Sequence, residues 1–442
     1  MEERLESLLA AAARSGGELE IYHSEARELT AAAFKGAIAG FTDSRSGAAA
    51  VRAVEGSRLG SAFTERIDRE SLAEAAAAAR RNASFMDPDP GNALYEGSDT
   101  FACEASWTND GVAADAKKAL ALGLEAACYA RDPRVVNVPQ AEYGEVDLYR
   151  AVANGRGMLK AERHRLCYAY AYVMADSGRG VETGVHLQAA RSFEGLDPAA
   201  IAREAVARAV GKLGAAEPQS GTMRAVLENG AATSLLGAFM GSASAEAIQK
   251  GRSRLAGKRG ERVGGALFTV VDDPAGPGLR GAAFDDEGLP AARLEVFREG
   301  VFLEPLYTVY SARREGAKPN GRGFRGSALA SVSASLVNAT IPAGSFSLEA
   351  LAAEAGKGIL VTEVEGLHAG LNPVSGDFSC SARGFALEGG RIGAPLRNFT
   401  ISGNFYELVA GLEAVGSDLR EDVLDRFRSP SLLVASLSVS GA

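Results

Sequence analysis

The chain has 442 residues, 46% of them hydrophobic and 23% charged, an ordinary globular composition on a length that one core does not fill. Its formal net charge of −9 excludes a chain built to bind nucleic acid, because phosphate binding needs clustered Lys and Arg. The basic stretch 250–262 reads as an isolated surface loop on an acidic protein. No run approaches the roughly 18 apolar residues of a membrane span. The amphipathic start MEERLESLLAAAARSGG lacks the basic and apolar regions of a signal peptide. Four scattered cysteines, Cys103, Cys128, Cys167 and Cys380, form no C-x-x-C pair, so neither a disulfide framework nor a zinc knuckle is indicated. A reduced, cytoplasmic protein is expected.

After an N-terminal helix, residues 18–67 have the pattern of a meander of short strands, with Gly36, Gly40, Gly47, Gly56 and Gly60 at turns or bulges. Asp68 caps a helix through RESLAEAAAAARRNA. The loop MDPDPGN follows, then a helix over about 111–130 and a second strand-rich stretch. There ANGRG is a hairpin turn, and LCYAYAYVM alternates with the period of two that strands need. Asp197 and Pro198 start a helix as N-cap and first helical residue. AAEPQSG (215–221) is the best boundary, dividing residues 1–219 from a β-rich 220–442. In the second part ALFTVVDD, RLEVFREGVFLEPLYTV, GILVTEVEG and FALEGGRIGAPLRNFTI are strands and hairpins. Helices are expected near 348–355 and 405–415, and SLLGAFMGSASAE (234–246) has the pattern of a short helix carrying mostly Gly, Ala and Ser on its polar side. Helices between meanders, ahead of a β-rich half, make an α+β fold.

Side-chain chemistry is sparse. His23, His164, His186 and His368 are the only histidines and show no metal-ligand spacing. Asp272, Asp273, Asp285, Asp286 and Glu287 could hold Mg²⁺ or Ca²⁺, but Asp before Pro or Gly is standard turn chemistry, and turns are favoured. NPVSGDFSCSARG (372–384) offers Ser375, Ser379, Cys380 and Ser381 beside Asp377 and near His368. It has no G-x-S-x-G elbow, so a Gly/Asp turn into a hairpin is favoured over a nucleophile. No phosphate-binding glycine motif follows a strand.

A set of ordered blocks carries more information: TVVDDP, FDDEGLPAARLEVFREG, YTVYSARREG, GILVTEVEG, NPVSGDFSCSARGFALEGGRIGAPLRNFTISGNF and VGSD. Over roughly 220–442 they resemble the TldD/PmbA family of cytoplasmic peptidases, long called modulators of DNA gyrase. In that family one subunit carries H-E-x-x-x-H after two leucines, binds zinc through the histidines, uses the Glu as general base, and completes the ligand set with a Cys near the C-terminus. The partner subunit, TldE or PmbA, lacks all of these. Here Leu235 and Leu236 are followed by GAFMGS, so Gly237 and Ser242 stand at the histidine positions and Ala238 at the Glu position, and no Cys follows Cys380.

The resemblance therefore implies a TldE-type subunit with no metal or catalytic residue of its own. Zinc is expected on a TldD-like partner in a heterodimer, and this chain helps enclose a cavity where unfolded peptides lie extended beside protein strands. Alone, a homodimer is expected. The turn formed by Ser375, Gly376, Asp377, Phe378 and Ser379, with Asn372, is expected near the groove or the interface. Two other readings stand beside this one: a non-enzymatic, gyrase-modulator-type homodimer, and, well behind it, a hydrolase using Ser379 or Cys380.

Overall fold

The computed structural model describes residues 2–15, 17–104, 111–420 and 425–441. Its first half is one seven-stranded sheet built from β1 (Glu18–Phe34), β2 (Ala37–Glu55), β3 (Arg58–Thr64), β4 (Thr100–Glu104), β5 (Val135–Asn154), β6 (Leu159–Asp176) and β7 (Val181–Ala190). The order is β3-β2-β1-β5-β6. β4 runs parallel along the first part of β6, and β7 runs antiparallel along its second part. The β5–β6 turn is held by Asn154, whose side-chain oxygen accepts from the backbone N–H groups of Arg156 and Met158.

The two faces of this sheet follow from the strand period of two. Leu19, Ile21, Val51, Tyr149 and Ala151 face α1 (Glu2–Ala13) and α2 (Arg69–Ser84). Further along, Tyr143, Cys167, Ala171 and Val173 face α3 (Ala114–Arg131) and α4 (Pro198–Gly211). Asp68 and Asp197 cap α2 and α4 as their positions predict. α2 and α4 present alanines because they lie directly on the outer strands: a Cβ added at Gly60 in β3 would sit 2.0 Å from the Ala79 carbonyl oxygen, and one at Gly184 in β7 would sit 2.1 Å from that of Ala205. The alternate residues, Glu20, Arg52, Arg150 and Glu162, look the other way and are also buried.

The second half covers that charged face. In chain order it contains β8 (Gly221–Leu227), α5 (Asn229–Gly237), α6 (Ala245–Gln249), β9 (Val270–Asp272), β10 (Leu294–Arg298), β11 (Val301–Phe302), α7 (Val309–Glu315), β12 (Gly323–Phe324), β13 (Ser333–Ala334), β14 (Ala339–Thr340), α8 (Leu348–Ala355), β15 (Gly358–Glu365), α9 (Leu367–Gly370), β16 (Asp377–Glu388), β17 (Arg391–Asn404), α10 (Phe405–Ala410), β18 (Leu412–Val415), β19 (Phe427–Arg428) and β20 (Leu432–Gly441). Strands β17, β16, β15, β8 and β20 form a ring, because β20 pairs back onto β17. That closure removes the open edges that would otherwise invite further pairing. A smaller sheet, β11-β10-β9-β14-β19, packs against it with α5 in the shared core. Among the described residues no helix is long and apolar enough to cross a membrane.

The α+β class expected from the sequence is the class observed, with local corrections. The short strands expected over 18–67 are long, and Gly47 and Gly60 lie in regular register inside β2 and β3 rather than at turns or bulges. The helix expected over 234–246 breaks. α5 ends at Gly237, a 3-10 turn spans Met240–Ala243, and α6 follows. Two glycines weaken the helix there, and the backbone bonds across to Leu306 through Ala245 N–H and the Ala243 carbonyl. The helix expected to reach 415 stops at Ala410, because Leu412–Val415 is taken up as a strand against β20. The strand expected in ALFTVVDD is only Val270–Asp272.

Buried ion pairs join the halves. Arg52 donates to both carboxylate oxygens of Glu20, at 2.9 and 2.8 Å, and to Glu287 at 3.2 Å. Arg150 donates to Glu162 at 2.6 Å and also reaches Asp286 and the Phe284 carbonyl. The Glu287 carboxylate accepts from Val309 N–H at 2.8 Å, at the start of α7.

Two results are expected from chemical denaturation. Gly60→Val or Gly184→Val loses about 1–3 kcal/mol or more through overpacking, whereas Gly123→Ala, in helix α3 with open space around it, gains up to about 1 kcal/mol. Arg52→Met strands two buried carboxylates and costs about 3–5 kcal/mol.

Candidate functional site

Helix α5 is fixed at its start by a small polar lattice. The Asn229 side chain donates to the Asp418 carbonyl and carboxylate at 3.0 and 3.2 Å, and Asn229 N–H donates to Ser431 Oγ at 3.0 Å. Ser431 in turn donates to Asp418 through both its hydroxyl and its N–H. Asp418 belongs to the VGSD block, which thus has a defined structural task. The apolar side of α5, with Leu235 and Leu236, is fully buried.

Its other side faces a groove of about 360 Å³ lined by Thr233, Gly237, Ala238, Gly241, Leu306 and Phe427, among others. The Phe427 ring lies over Gly237, so that a Cβ there would meet it at 3.4 Å. Of the three small residues singled out in the sequence, Gly237 and Ala238 line this groove. Ser242 does not: it is buried, and its carbonyl accepts from the Ser253 hydroxyl at 2.7 Å. The broken helix is the reason, since the chain turns at Gly237–Gly241 before Ser242 is reached.

Zinc needs three or four nitrogen, sulfur or carboxylate donors. Among the described residues the groove lining offers one carboxylate, Asp425, and one guanidinium, Arg426, together with hydroxyls and apolar groups, and no imidazole or thiol. Among the described residues no three His, Cys, Asp or Glu side chains come together in a way that could hold a metal. The donor set at α5 does not fit zinc.

The Asn372–Ser379 turn is held by its own hydrogen bonds and by donors from outside it, Asn404 and Arg254, the latter reaching the Ser375 carbonyl at 3.1 Å. Asn372 Oδ1 accepts from Val374 and Ser375 N–H, Ser375 Oγ donates to Asp377 at 2.7 Å, and Asn404 Nδ2 donates to Asp377 at 2.8 Å. The bonds from Asn404 and Ser375 hold the Asp377 carboxyl below its usual range. Gly376 has a φ of 86°, and a Cβ there would meet the Tyr406 ring at 2.8 Å, so glycine is required. The turn is exposed around Asp377 and Ser379, while Phe378 is buried. It connects to α5 through aromatic packing: Phe239, just after α5, lies 6.4 Å from Phe378 and is stacked 4.9 Å from Phe405. The turn and the groove therefore share one support without sharing a lining.

Of the other serines and cysteines considered, Ser381 donates to Asn398, and the Sγ of buried Cys380 faces the Gly370 carbonyl. Burial pushes the Cys380 thiol up, away from a reactive thiolate. None of these groups is paired with an imidazole.

The acidic turns need correction. Asp273 does accept from Ala275 N–H, and Asp285 accepts from Glu287 and Leu289 N–H, as turn chemistry predicts. Yet Asp272, Asp285, Asp286 and Glu287 are all buried. Asp272 pairs with fully buried Arg322 at 2.6 Å, while Asp286 and Glu287 meet arginines of the N-terminal sheet. Turn geometry depends on nearest neighbours and was visible in the sequence. The arginine partners lie as much as 235 positions away and carry no local signal.

Arg420, two residues after Asp418, reaches β7. His186 Nδ1 lies 3.1 Å from an Arg420 nitrogen. Burial and the Arg420 charge push the imidazole down from 6.5 to about 4. Unfolded, the ring binds a proton near pH 6.5, and folded only near 4, so stability falls as pH drops through that window and levels off below it. The expected result is that His186→Asn flattens this part of the stability–pH curve, measured by urea unfolding at pH 4.5, 5.5 and 7.

Comparison with known proteins agrees with this architecture along the whole chain. Residues 220–441 match the C-terminal domain of PmbA/TldA metallopeptidases, residues 107–213 their central domain, and residues 19–83 their first domain. The metalloprotease PmbA of Escherichia coli O157:H7 is 23% identical, over 100% of this chain and 96% of its own length. The PmbA homologue of Haemophilus influenzae is 24% identical over 97% of this chain and 94% of its own. Two crystal structures superpose closely. One, described as a modulator of DNA gyrase from Thermotoga maritima MSB8, has a TM-score of 0.89 at 29% identity, covering 100% of both chains. The other, TldE from Thermococcus kodakarensis, has a TM-score of 0.87 at 22% identity, covering 99% of this chain and 100% of its own. The chain belongs to the PmbA/TldD metallopeptidase family.

Proposed function

We propose that this chain is the supporting, TldE-type subunit of a cytoplasmic zinc peptidase. It shapes the cavity that receives unfolded peptides, while a TldD-like subunit carrying H-E-x-x-x-H binds zinc and hydrolyses them. The observation that carries this reading is the α5 groove. A helix rigidly anchored at its N-terminus, in the part of the chain that matches a metallopeptidase C-terminal domain, presents Gly237 and Ala238 to a cleft with no imidazole or thiol. Side chains this small cannot attack, coordinate or exchange protons, but they do leave room for an extended backbone or a partner's side chains. Strand-like binding through main-chain hydrogen bonds suits a peptidase that accepts many sequences. The Asn372–Ser379 turn is assigned to the rim of the groove or to the subunit interface, since it is rigid, exposed at Asp377 and Ser379, and tied to α5 through Phe378 and Phe239.

The test is cleavage of an unfolded peptide by this chain alone and by its mixture with a zinc-bearing TldD-like subunit. Chelator-sensitive cleavage in the mixture only is expected. Asp377→Ala is expected to lower the activity of the mixture while leaving the fold of this chain intact by circular dichroism. Cleavage by this chain alone would overturn the reading. No cleavage in either preparation would favour the non-enzymatic, regulatory reading of this chain; the Thermotoga structure is described as a modulator of DNA gyrase.

A further inference from the structure

Away from α5, a second cavity of about 450 Å³ lies between the charged face of the N-terminal sheet and the loops around β12. Leu148, Leu166 and Tyr168 line it from the sheet, Phe324 and Val337 from the other side, and its lining includes the exposed residues Gly326 and Ser327. Its volume falls in the range of small-ligand sites. The walls are largely apolar, and the charged groups that line it are Arg150, Arg280, Arg325 and Arg426 together with the carboxylates of Glu162 and Asp286.

Four of the arginines in or beside this cavity fall into two pairs. Arg52 and Arg150 are desolvated, but hydrogen-bonded carboxylates outweigh that cost and push both guanidinium pKa values up. Arg325 and Arg426 differ. The Arg325 side chain is 4% exposed, and its one protein hydrogen bond from the guanidinium goes to the Ala330 carbonyl at 2.7 Å. Its Nε and second terminal nitrogen are buried with no hydrogen-bond partner. The nearest carboxylate oxygen, on Glu20, is 3.8 Å away and belongs to a group already engaged by Arg52. Arg426 donates to the Ser335 hydroxyl and the Leu336 carbonyl, both neutral. Burial pushes both of these guanidinium groups down. Each also lies over an aromatic ring, Arg325 over Tyr22 at 5.1 Å and Arg426 over Phe324 at 5.4 Å, which fixes its orientation. A buried cation whose donors are unfilled is costly unless an anion completes it.

We propose that this cavity binds a carboxylate carried on a compact apolar body, with Arg325 as its principal partner and Arg426 as the second. A guanidinium with two free donors matches a carboxylate's two oxygens, and the apolar walls select against small hydrated anions. The free C-terminus of a short hydrophobic peptide and a medium-chain fatty acid share this chemistry. The assignment concerns this chain alone and does not depend on the subunit reading above.

The test is calorimetric titration of the isolated chain with acetyl-Leu-Phe, its C-terminal amide, octanoate and inorganic phosphate. Binding of one or both carboxylates, with at least tenfold weaker binding of the amide, is expected; whichever carboxylate binds identifies the source. Arg325→Gln is expected to weaken that binding about 10- to 100-fold. Ala328→Trp, which fills the cavity and leaves both arginines in place, provides the check should Arg325→Gln not fold, and is expected to abolish binding. Equal binding of acid and amide, binding of phosphate alone, carboxylate binding untouched by Ala328→Trp, or no binding of any probe would overturn the proposal.

Discussion

The loop Phe284–Glu287 is the constraint on which the rest of the structure depends. Three consecutive carboxylates enter a buried seam, and each is met by groups of different origin: Asp285 by backbone N–H groups of its own turn and of Gly323, Asp286 by Arg150 and the Arg325 N–H, and Glu287 by Arg52 and the start of α7. Burying charge is unfavourable unless geometry and hydrogen bonding are complete, so the seam fixes one placement of the N-terminal sheet over the C-terminal half where an apolar face would tolerate several. Burial and the neighbouring Glu287 charge raise the Asp285 carboxyl well above the ordinary range. The same seam brings Arg325 and Arg426 to one cavity, where among the described residues neither guanidinium is hydrogen-bonded to a carboxylate.

The α5 region obeys a different rule. Its rigidity comes from Asp418, Asn229 and Ser431 at one end and from stacked Phe239, Phe405 and Phe378 at the other. Between these anchors the exposed positions are stripped to Gly and Ala. Under the proposed function such a helix contributes shape rather than chemistry, since a wall with minimal side chains is what an extended peptide or a closely packed partner requires.

Much of the fold was legible because its signals are local. Asp68 and Asp197 each sit at an N-cap where their carboxylate accepts backbone N–H bonds, and the ANGRG turn joins two strands whose alternation was plain. The helix over 348–355 and the hairpin at Glu299–Gly300 were placed correctly for the same reason. What the sequence hid was tertiary. SLLGAFMGSASAE has helical spacing, but the pull of Leu306 on the backbone at 243–245 breaks it, and so Ser242 does not line the groove with Gly237. Residues 412–415 were lost to a strand because β20, arriving later in the chain, offers a better partner than one more helical turn. Asp285–Glu287 were recognised as turn residues but not as the seam, because no rule of spacing links them to Arg52 and Arg150. Arg325 and Arg426 gave no signal at all.

The most direct measurement is the zinc content, by plasma emission spectrometry, of this chain purified alone and of its complex with a TldD-like subunit. One zinc per complex, with none retained by the isolated chain, is the expected result. A full equivalent of zinc on the isolated chain would contradict it and would mean that ligands assemble somewhere other than the α5 groove.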